Sequence, residues 1–175
     1  LIKAEVVIND DQILIDFNGS SDQVRTNLNS PFASSVSSAI ACIKAVLTDP
    51  DIPFNEGAER AISVKIPYGS ILNPKPPAPV RARLIPSYRV VNAVMSALAH
   101  AVPERVIAPG FDTTSVSCLS HRKETGYNIY LEIFGGGFGA GPNNDGCDAV
   151  DSMLSNCSNI PIESMESDYP FFRVE

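Results

Sequence analysis

Residues 5–8 and 12–17 are two short runs rich in β-branched apolar residues. The intervening Asn9-Asp10-Asp11 is turn chemistry, because Asn and Asp tolerate turn backbone. A β-hairpin is therefore predicted at the start of the chain. From 31 to 47 the period changes: Val36, Ala39, Ile40, Ile43, Ala45, Val46 and Leu47 fall near helical spacing, with Ser30 as the expected cap, Pro31 in the first turn and Asp49-Pro50 as the stop. Residues 61–66 alternate like a half-buried strand, and the Pro-rich passage after them reads as an extended loop. Val90, Val91, Val94, Met95, Leu98 and Ala99 place a second amphipathic helix over 87–102, closed before Pro103. Two further strands are predicted at 114–119 and 128–134, joined through the polar stretch 120–126, with mostly loop beyond Gly135. The expected fold is α+β: an antiparallel or mixed sheet, two covering amphipathic helices and long Pro/Gly-rich loops, in one domain spanning residues 1–175.

Composition narrows the function more than the fold. With 175 residues, 44% of them hydrophobic and 19% charged, the chain can bury a sizeable core. A net charge of −7 disfavours nucleic-acid or anionic-membrane partners, which need clustered Lys and Arg. No run approaches the ~18 apolar residues of a membrane span. The opening Leu1-Ile2-Lys3-Ala4-Glu5 has neither an initiator Met nor a signal-peptide pattern, so an internal piece of a cytoplasmic protein is expected. Cys42, Cys118, Cys147 and Cys157 are scattered without a C-x-x-C pair and read as reduced, largely buried thiols.

Candidate chemistry lies in the loops. Gly135-Gly136-Gly137-Phe138-Gly139-Ala140-Gly141 has the freedom to cradle a phosphate. It lacks the Gly-Lys-Ser/Thr ending of a P-loop and the helix that follows a dinucleotide fingerprint, which favours tight backbone packing or an active-site loop. His100 and His121 have no partner at ligand spacing. Ser20, Ser21 and Ser155 sit in no nucleophile elbow. Asp16, Glu56, Glu132, Asp145, Asp148, Asp151 and Glu163 stand in or beside the Gly/Asn/Pro-rich blocks, where a carboxylate either orients a substrate or accepts local backbone hydrogen bonds. Arg25, beside Asn27 and Asn29, is a rigid bidentate donor for a carboxylate or for a neighbouring loop.

The order of three blocks carries a resemblance. Asp16-Phe17-Asn18-Gly19-Ser20-Ser21-Asp22-Gln23-Val24-Arg25 with Asn29-Ser30-Pro31 comes first. Asp51-Ile52-Pro53-Phe54-Asn55-Glu56-Gly57 with Pro67-Tyr68-Gly69-Ser70-Ile71-Leu72-Asn73-Pro74 comes second. The glycine run followed by Asp145-Gly146 and Ser155-Asn156-Cys157-Ser158-Asn159-Ile160-Pro161-Ile162-Glu163 comes third. Together they resemble the B component of the hydantoinase/oxoprolinase family across nearly the whole chain.

That resemblance implies an internal to C-terminal portion of a longer subunit contributing to ATP-dependent hydrolysis of a cyclic amide such as a hydantoin, 5-oxoproline or a lactam. It implies a multi-subunit hydrolase with ATP on a partner A component. It further implies a divalent metal held by an N-terminal region preceding the hairpin, with no cofactor, metal ligand or assignable catalytic residue in this chain. Positioning and loop closure then fall to Arg25, Asn27, Glu132, Gly135, Gly136 and Asp145. Two departures from the family pattern stand out: Ala82-Arg83 and Ser87-Tyr88 where many members read Gly-Asn and Ser-Gln, and Asp151 and Met153 where many carry His-x-His. Two alternatives remain open: a ketone carboxylase subunit fragment, and a non-catalytic module for subunit interaction.

Overall fold

The computed structural model describes residues 1–113, 115–151, 153–155, 157, 159–169, 171 and 173. It opens with the predicted hairpin, β1 (Glu5–Asn9) and β2 (Gln12–Asp16), paired antiparallel from Glu5↔Asp16 to Asn9↔Gln12. Asp10 takes the left-handed turn backbone, φ 50°, that a short Asn/Asp can adopt. The chain then crosses through α1 (Phe32–Leu47) and the short α2 (Glu56–Glu59) to β3 (Ile62–Lys65), which lies parallel to β2. A parallel neighbour needs such a crossover, and α1 supplies it. The result is a mixed sheet of order β1-β2-β3.

Pleating puts Val6, Ile15 and Val64 on one face, since Val6 pairs with Ile15 and Ile15 with Val64. α1 and α3 (Leu84–Leu98) pack against each other and cover that sheet. The core is built from Ile15 and Phe17 of the sheet side, Ala39, Cys42, Ile43 and Val46 of α1, Leu72 of the long loop, and Val90, Val91, Val94, Met95 and Leu98 of α3. The α+β class, the mixed sheet and the two covering helices are as the periodicity predicted.

Several local expectations need correction. Ser30 is not the cap of α1: Pro31 holds that position with extended backbone, and Ser30, fully buried, turns its hydroxyl toward Ser87 at 3.4 Å. The second helix starts before the predicted residue 87 because Pro86 sits in its first turn, where a missing N–H leaves no bond unmade. It ends at Leu98, and residues 103–105 form a separate 3₁₀ turn. The polar residues Ser120, His121 and Arg122 belong to strand and not to connection: β4 (Ser115–Arg122) pairs antiparallel with β5 (Tyr127–Phe134) in a second, two-stranded sheet. Thr114, the predicted first residue of that strand, lies outside the described residues. The segment past Gly135, expected as mostly loop, also carries one short helix, α4 (Ile162–Asp168). Of the four cysteines only Cys42 is buried.

Candidate functional site

The first two sequence blocks lie against one another. Residues 20–30 and 67–82 are zipped by backbone bonds: Gln23 N–H to Gly69 O, Ile71 N–H to Ser21 O, Ser30 N–H to Ile71 O and Ala82 N–H to Asn27 O, all 2.8–3.0 Å. The clamp between them is Asn29, fully buried. Its Oδ1 accepts from Val24 N–H at 2.8 Å, and its Nδ2 donates to Val24 O, Thr26 O and Pro79 O at 2.8, 3.1 and 3.0 Å. Sequence reasoning placed the clamping chemistry on Arg25. Arg25 is exposed and makes no hydrogen bond or ion pair among the described residues, whereas Asn29 holds four main-chain groups. Asn27 is exposed and contributes its carbonyl to the zip.

Glu132 and Gly135 are gathered at a second place. Glu132 on β5 is buried. Its carboxylate accepts from the Tyr130 hydroxyl and, at 2.8 Å, from Ile160 N–H. The Gly135 N–H donates to Asn159 Oδ1 at 2.9 Å. The Asn159-Ile160 pair thus ties the C-terminal segment to the end of β5 through two residues that the sequence singled out. Gly136 packs under Phe111, where a Cβ would come within 2.1 Å of the ring. Asp145 is exposed and precedes Gly146, whose own Cβ would meet the Phe138 carbonyl at 2.1 Å. No contact joins Arg25 and Asn27 to this group among the described residues.

The glycine run is a backbone-packing knot. Gly137 N–H donates to Val150 O, Phe138 N–H to Cys147 O and Gly141 N–H to Asn144 O, while Ala140 O accepts from Ala108 N–H and Gly137 O from Phe111 N–H. A phosphate cradle needs consecutive N–H groups converging on one point, and here those of Gly137, Phe138 and Gly141 are spent on the protein's own carbonyls. The segment does not fit ATP. Nor do the side chains fit a divalent metal: among the described residues no three His, Cys, Asp or Glu groups come together to hold an ion. His121 stacks on Phe171 at 4.9 Å, and His100 is exposed just past the end of α3.

Most remaining carboxylates do local work. Asp16 accepts from Asn18 N–H at 2.8 Å, as its turn setting predicts. Glu56 pairs with Arg60 on the surface, and Glu163 lies exposed in the first turn of α4. Asp148 is exposed and Asp151 is buried. Ser20 exchanges hydrogen bonds with the Lys3 backbone, which leaves it no nucleophile's geometry.

One constellation went unread in the sequence. Asp112, nearly buried, accepts from Asn92 Nδ2 at 2.9 Å through Oδ2. Arg89 Nη1 lies 3.8 Å from the same oxygen, while Nη2 donates to the Asp112 carbonyl at 3.1 Å. The available signal was Asn92 itself, one turn from Tyr88 and Met95 on an otherwise apolar stripe of α3. Its partner lies 20 residues on in a loop, which periodicity does not reach.

This polar triad stands between two hollows. One, of about 20 Å³, has room for about a single water and is bounded by Tyr88, Asn92, Asp112, Phe138, Met153 and Leu154. Tyr88 and Met153, two of the positions departing from the family pattern, thus meet there. The other is an open groove of about 560 Å³, with Ile71, Ile85 and Pro86 as apolar wall and Arg89, Asn92 and Ser96 as polar edge. Its size and its few convergent polar groups suit a small ligand. The arrangement can offer an amide and a guanidinium to a carbonyl or carboxylate beside an apolar surface.

The chain is similar to known proteins along most of its length. A family model described as hydantoinase B/oxoprolinase matches residues 1–175. The chain is 34% identical over 175 residues to a Pseudomonas protein named as the B component of a D-/L-hydantoinase, covering 97% of this chain and 29% of that one. It is 31% identical to a 5-oxoprolinase of Pestalotiopsis fici, covering 94% of this chain and 13% of that one. Among solved structures, the ATP-dependent caprolactamase of Pseudomonas jessenii superposes with a TM-score of 0.83 at 28% identity, over 97% of this chain and 30% of that chain. A nucleotide-free acetone carboxylase shares the fold, with a TM-score of 0.65 at 18% identity over 85% and 21% of the two chains. The chain therefore spans under a third of the relatives it matches. With the family model covering it from end to end, the chain belongs to the hydantoinase B/oxoprolinase family.

Proposed function

We propose that these 175 residues are one unit of a hydantoinase B/oxoprolinase-type polypeptide that contributes to ATP-dependent hydrolysis of a cyclic amide: a hydantoin, 5-oxoproline or a lactam. The observation carrying this reading is the end-to-end match, whose named relatives are a hydantoinase component and a 5-oxoprolinase, with a caprolactamase as structural neighbour. The groove edged by Arg89, Asn92 and Ser96 suits it, because a cyclic amide presents a carbonyl and an N–H on an otherwise apolar ring. This segment's part is then to hold and orient. Asn29 and the glycine knot fix the loops, and Arg25, Asn27, Glu132, Gly135, Gly136 and Asp145 shape the surroundings. ATP on a partner A component and a divalent metal elsewhere in the B component, as the family resemblance implies, complete the reading. A cytoplasmic setting accompanies it; among the described residues no helix is long and apolar enough to cross a membrane. The acetone carboxylase likeness is one of fold, so ketone carboxylation has less support.

The test is ATP-dependent ring opening of hydantoin, 5-oxoproline and caprolactam by the complete B component with its A partner, with and without this segment. Turnover that disappears on deletion supports the reading, provided the remainder stays folded and still assembles. Unchanged turnover removes it and leaves an interaction module, and bicarbonate-dependent consumption of a ketone moves the protein to the carboxylase branch.

A further inference from the structure

The β4–β5 ribbon has two unlike faces. Ser117, Leu119 and His121 pair with Glu132, Tyr130 and Asn128, so these side chains share one face. That face is covered from within: Tyr169 meets Tyr130 edge-on at 5.3 Å, Phe171 stacks on His121, and the Glu132 carboxylate takes Ile160 N–H. The opposite face carries Val116, Cys118, Ser120 and Arg122 against Ile133, Leu131, Ile129 and Tyr127. Val116, Tyr127, Ile129 and Leu131 are 51–67% exposed, and Cys118 beside them is exposed too. This is a contiguous apolar sheet surface facing solvent. A two-stranded ribbon is marginal without a second layer, and exposed patches of this kind mark interaction sites.

We infer that this face seats an apolar element of the remaining hydantoinase B-type polypeptide, packed onto the ribbon as its second layer. The inference rests on the reading that the chain works inside such a polypeptide. The length of the relatives selects the occupant. The matched segment is 29% of the Pseudomonas hydantoinase component and 30% of the caprolactamase chain, so most of each relative lies outside it and must meet it somewhere. A second copy is disfavoured by charge, since self-pairing brings together two chains each carrying −7.

Cys118, paired with Leu131 in the middle of the face, is a built-in probe. With Cys147→Ser and Cys157→Ser, both exposed positions, Cys118 and the buried Cys42 are the remaining thiols of these 175 residues, and labelling is read at the Cys118 peptide by mass. Maleimide labelling near pH 7 is timed in the isolated 175-residue chain and in the complete B component. Cys42 serves as the silent control. The expected result is free-thiol reactivity of Cys118 in the isolated chain and labelling at least about tenfold slower in the complete B component, because a thiol under a packed layer reacts only on opening. Leu131→Glu should return the complete B component toward the fast rate. Equal rates in both forms overturn the inference, as does protection in the isolated chain that grows with concentration alongside dimer formation. The readout is independent of turnover: protection without ring opening keeps the docking surface and removes the catalytic reading, whereas turnover with an unprotected Cys118 does the reverse.

Discussion

Replacing Asn29 by Ala should destabilise the chain more than replacing any charged residue on its surface. The side chain is fully buried and serves the Val24 N–H and the carbonyls of Val24, Thr26 and Pro79. Truncation strands one donor and three acceptors. An unmet buried group costs about 1–3 kcal/mol, with the donor near the top of that range and the carbonyls, each with a second lone pair, near the bottom. Partial relaxation of the loops brings the expected loss to about 3–5 kcal/mol, a large fraction of the 5–15 kcal/mol typical of a domain. With a urea slope of about 2 kcal/mol per molar, the unfolding midpoint should fall by roughly 2 M at unchanged slope. Asn29→Asp separates hydrogen bonding from volume. It keeps the size and the acceptor but sets a carboxylate against three carbonyls, which raises its folded-state pKa above the unfolded ~3.9. Stability held by the protonated form is then lost as pH rises through that folded value, so the Asp variant should recover relative to wild type on acidification toward pH ~4. A midpoint shift under about 0.5 M for Asn29→Ala, or an Asp variant as stable as wild type at pH 7, would refute the clamp.

Three other outcomes follow from particular contacts. Burial pushes the Cys42 thiol from 9.0 up to about 12. The folded state therefore favours the protonated form, and the associated stability, complete below pH ~9, should drain away as pH climbs from 9 toward 12. Urea titrations against Cys42→Ala should show wild type losing its advantage over that window, and a constant difference would contradict it. Gly139→Ala puts a Cβ 2.0 Å from the Ala108 carbonyl, so backbone must move; a loss above about 2 kcal/mol is expected in thermal unfolding. Gly126→Ala meets nothing within 4 Å and carries only the strain of its φ of +92°, so about 1 kcal/mol suffices, and equal losses at the two glycines would remove the packing argument. Arg89 is half-exposed in its pair with Asp112, so Arg89→Ala should cost no more than about 1 kcal/mol of stability, read by the same melt. In the reconstituted complex that variant should raise KM for a cyclic amide more than it lowers kcat, and an unchanged KM takes Arg89 off the groove's polar edge.

What the sequence made legible, and what it hid, divides along one physical line. Where a residue's fate depends on neighbours a few positions away, the reading held. The β-branched runs at 5–8 and 12–17 around Asn9-Asp10-Asp11 placed the hairpin, and the apolar stripe of α3 placed the buried Val90, Val94 and Leu98. Where the fate depends on a partner far along the chain, it did not. Asn29 reads as one more polar loop residue until Pro79, 50 positions on, supplies a carbonyl. Ser30 fits a helix cap by local chemistry, yet Ser87, 57 positions away, faces its hydroxyl. Ser120, His121 and Arg122 look like a turn because they are polar, but in a two-stranded ribbon polarity costs nothing, and Phe171 gives His121 an apolar stacking partner.

The same division bears on the site. The glycine run was conspicuous by composition, and the N–H groups of Gly137, Phe138 and Gly141 turned out to be bonded to the carbonyls of Val150, Cys147 and Asn144. Its function is to let two backbones approach closely, and that approach sets the Phe138 wall beside Asp112. The Arg89–Asn92–Asp112 triad, conspicuous by geometry alone, owes its position to the knot. The loop bearing Asp112 is pinned at Ala108 and Phe111 to the glycine run, while Arg89 and Asn92 are pinned by α3 to the core. A knot that holds one wall of a groove while the core holds the other makes the groove's width a property of packing. Small volume changes at Gly136 or Gly139 should therefore alter ligand binding at Arg89 without removing any polar side chain of the groove.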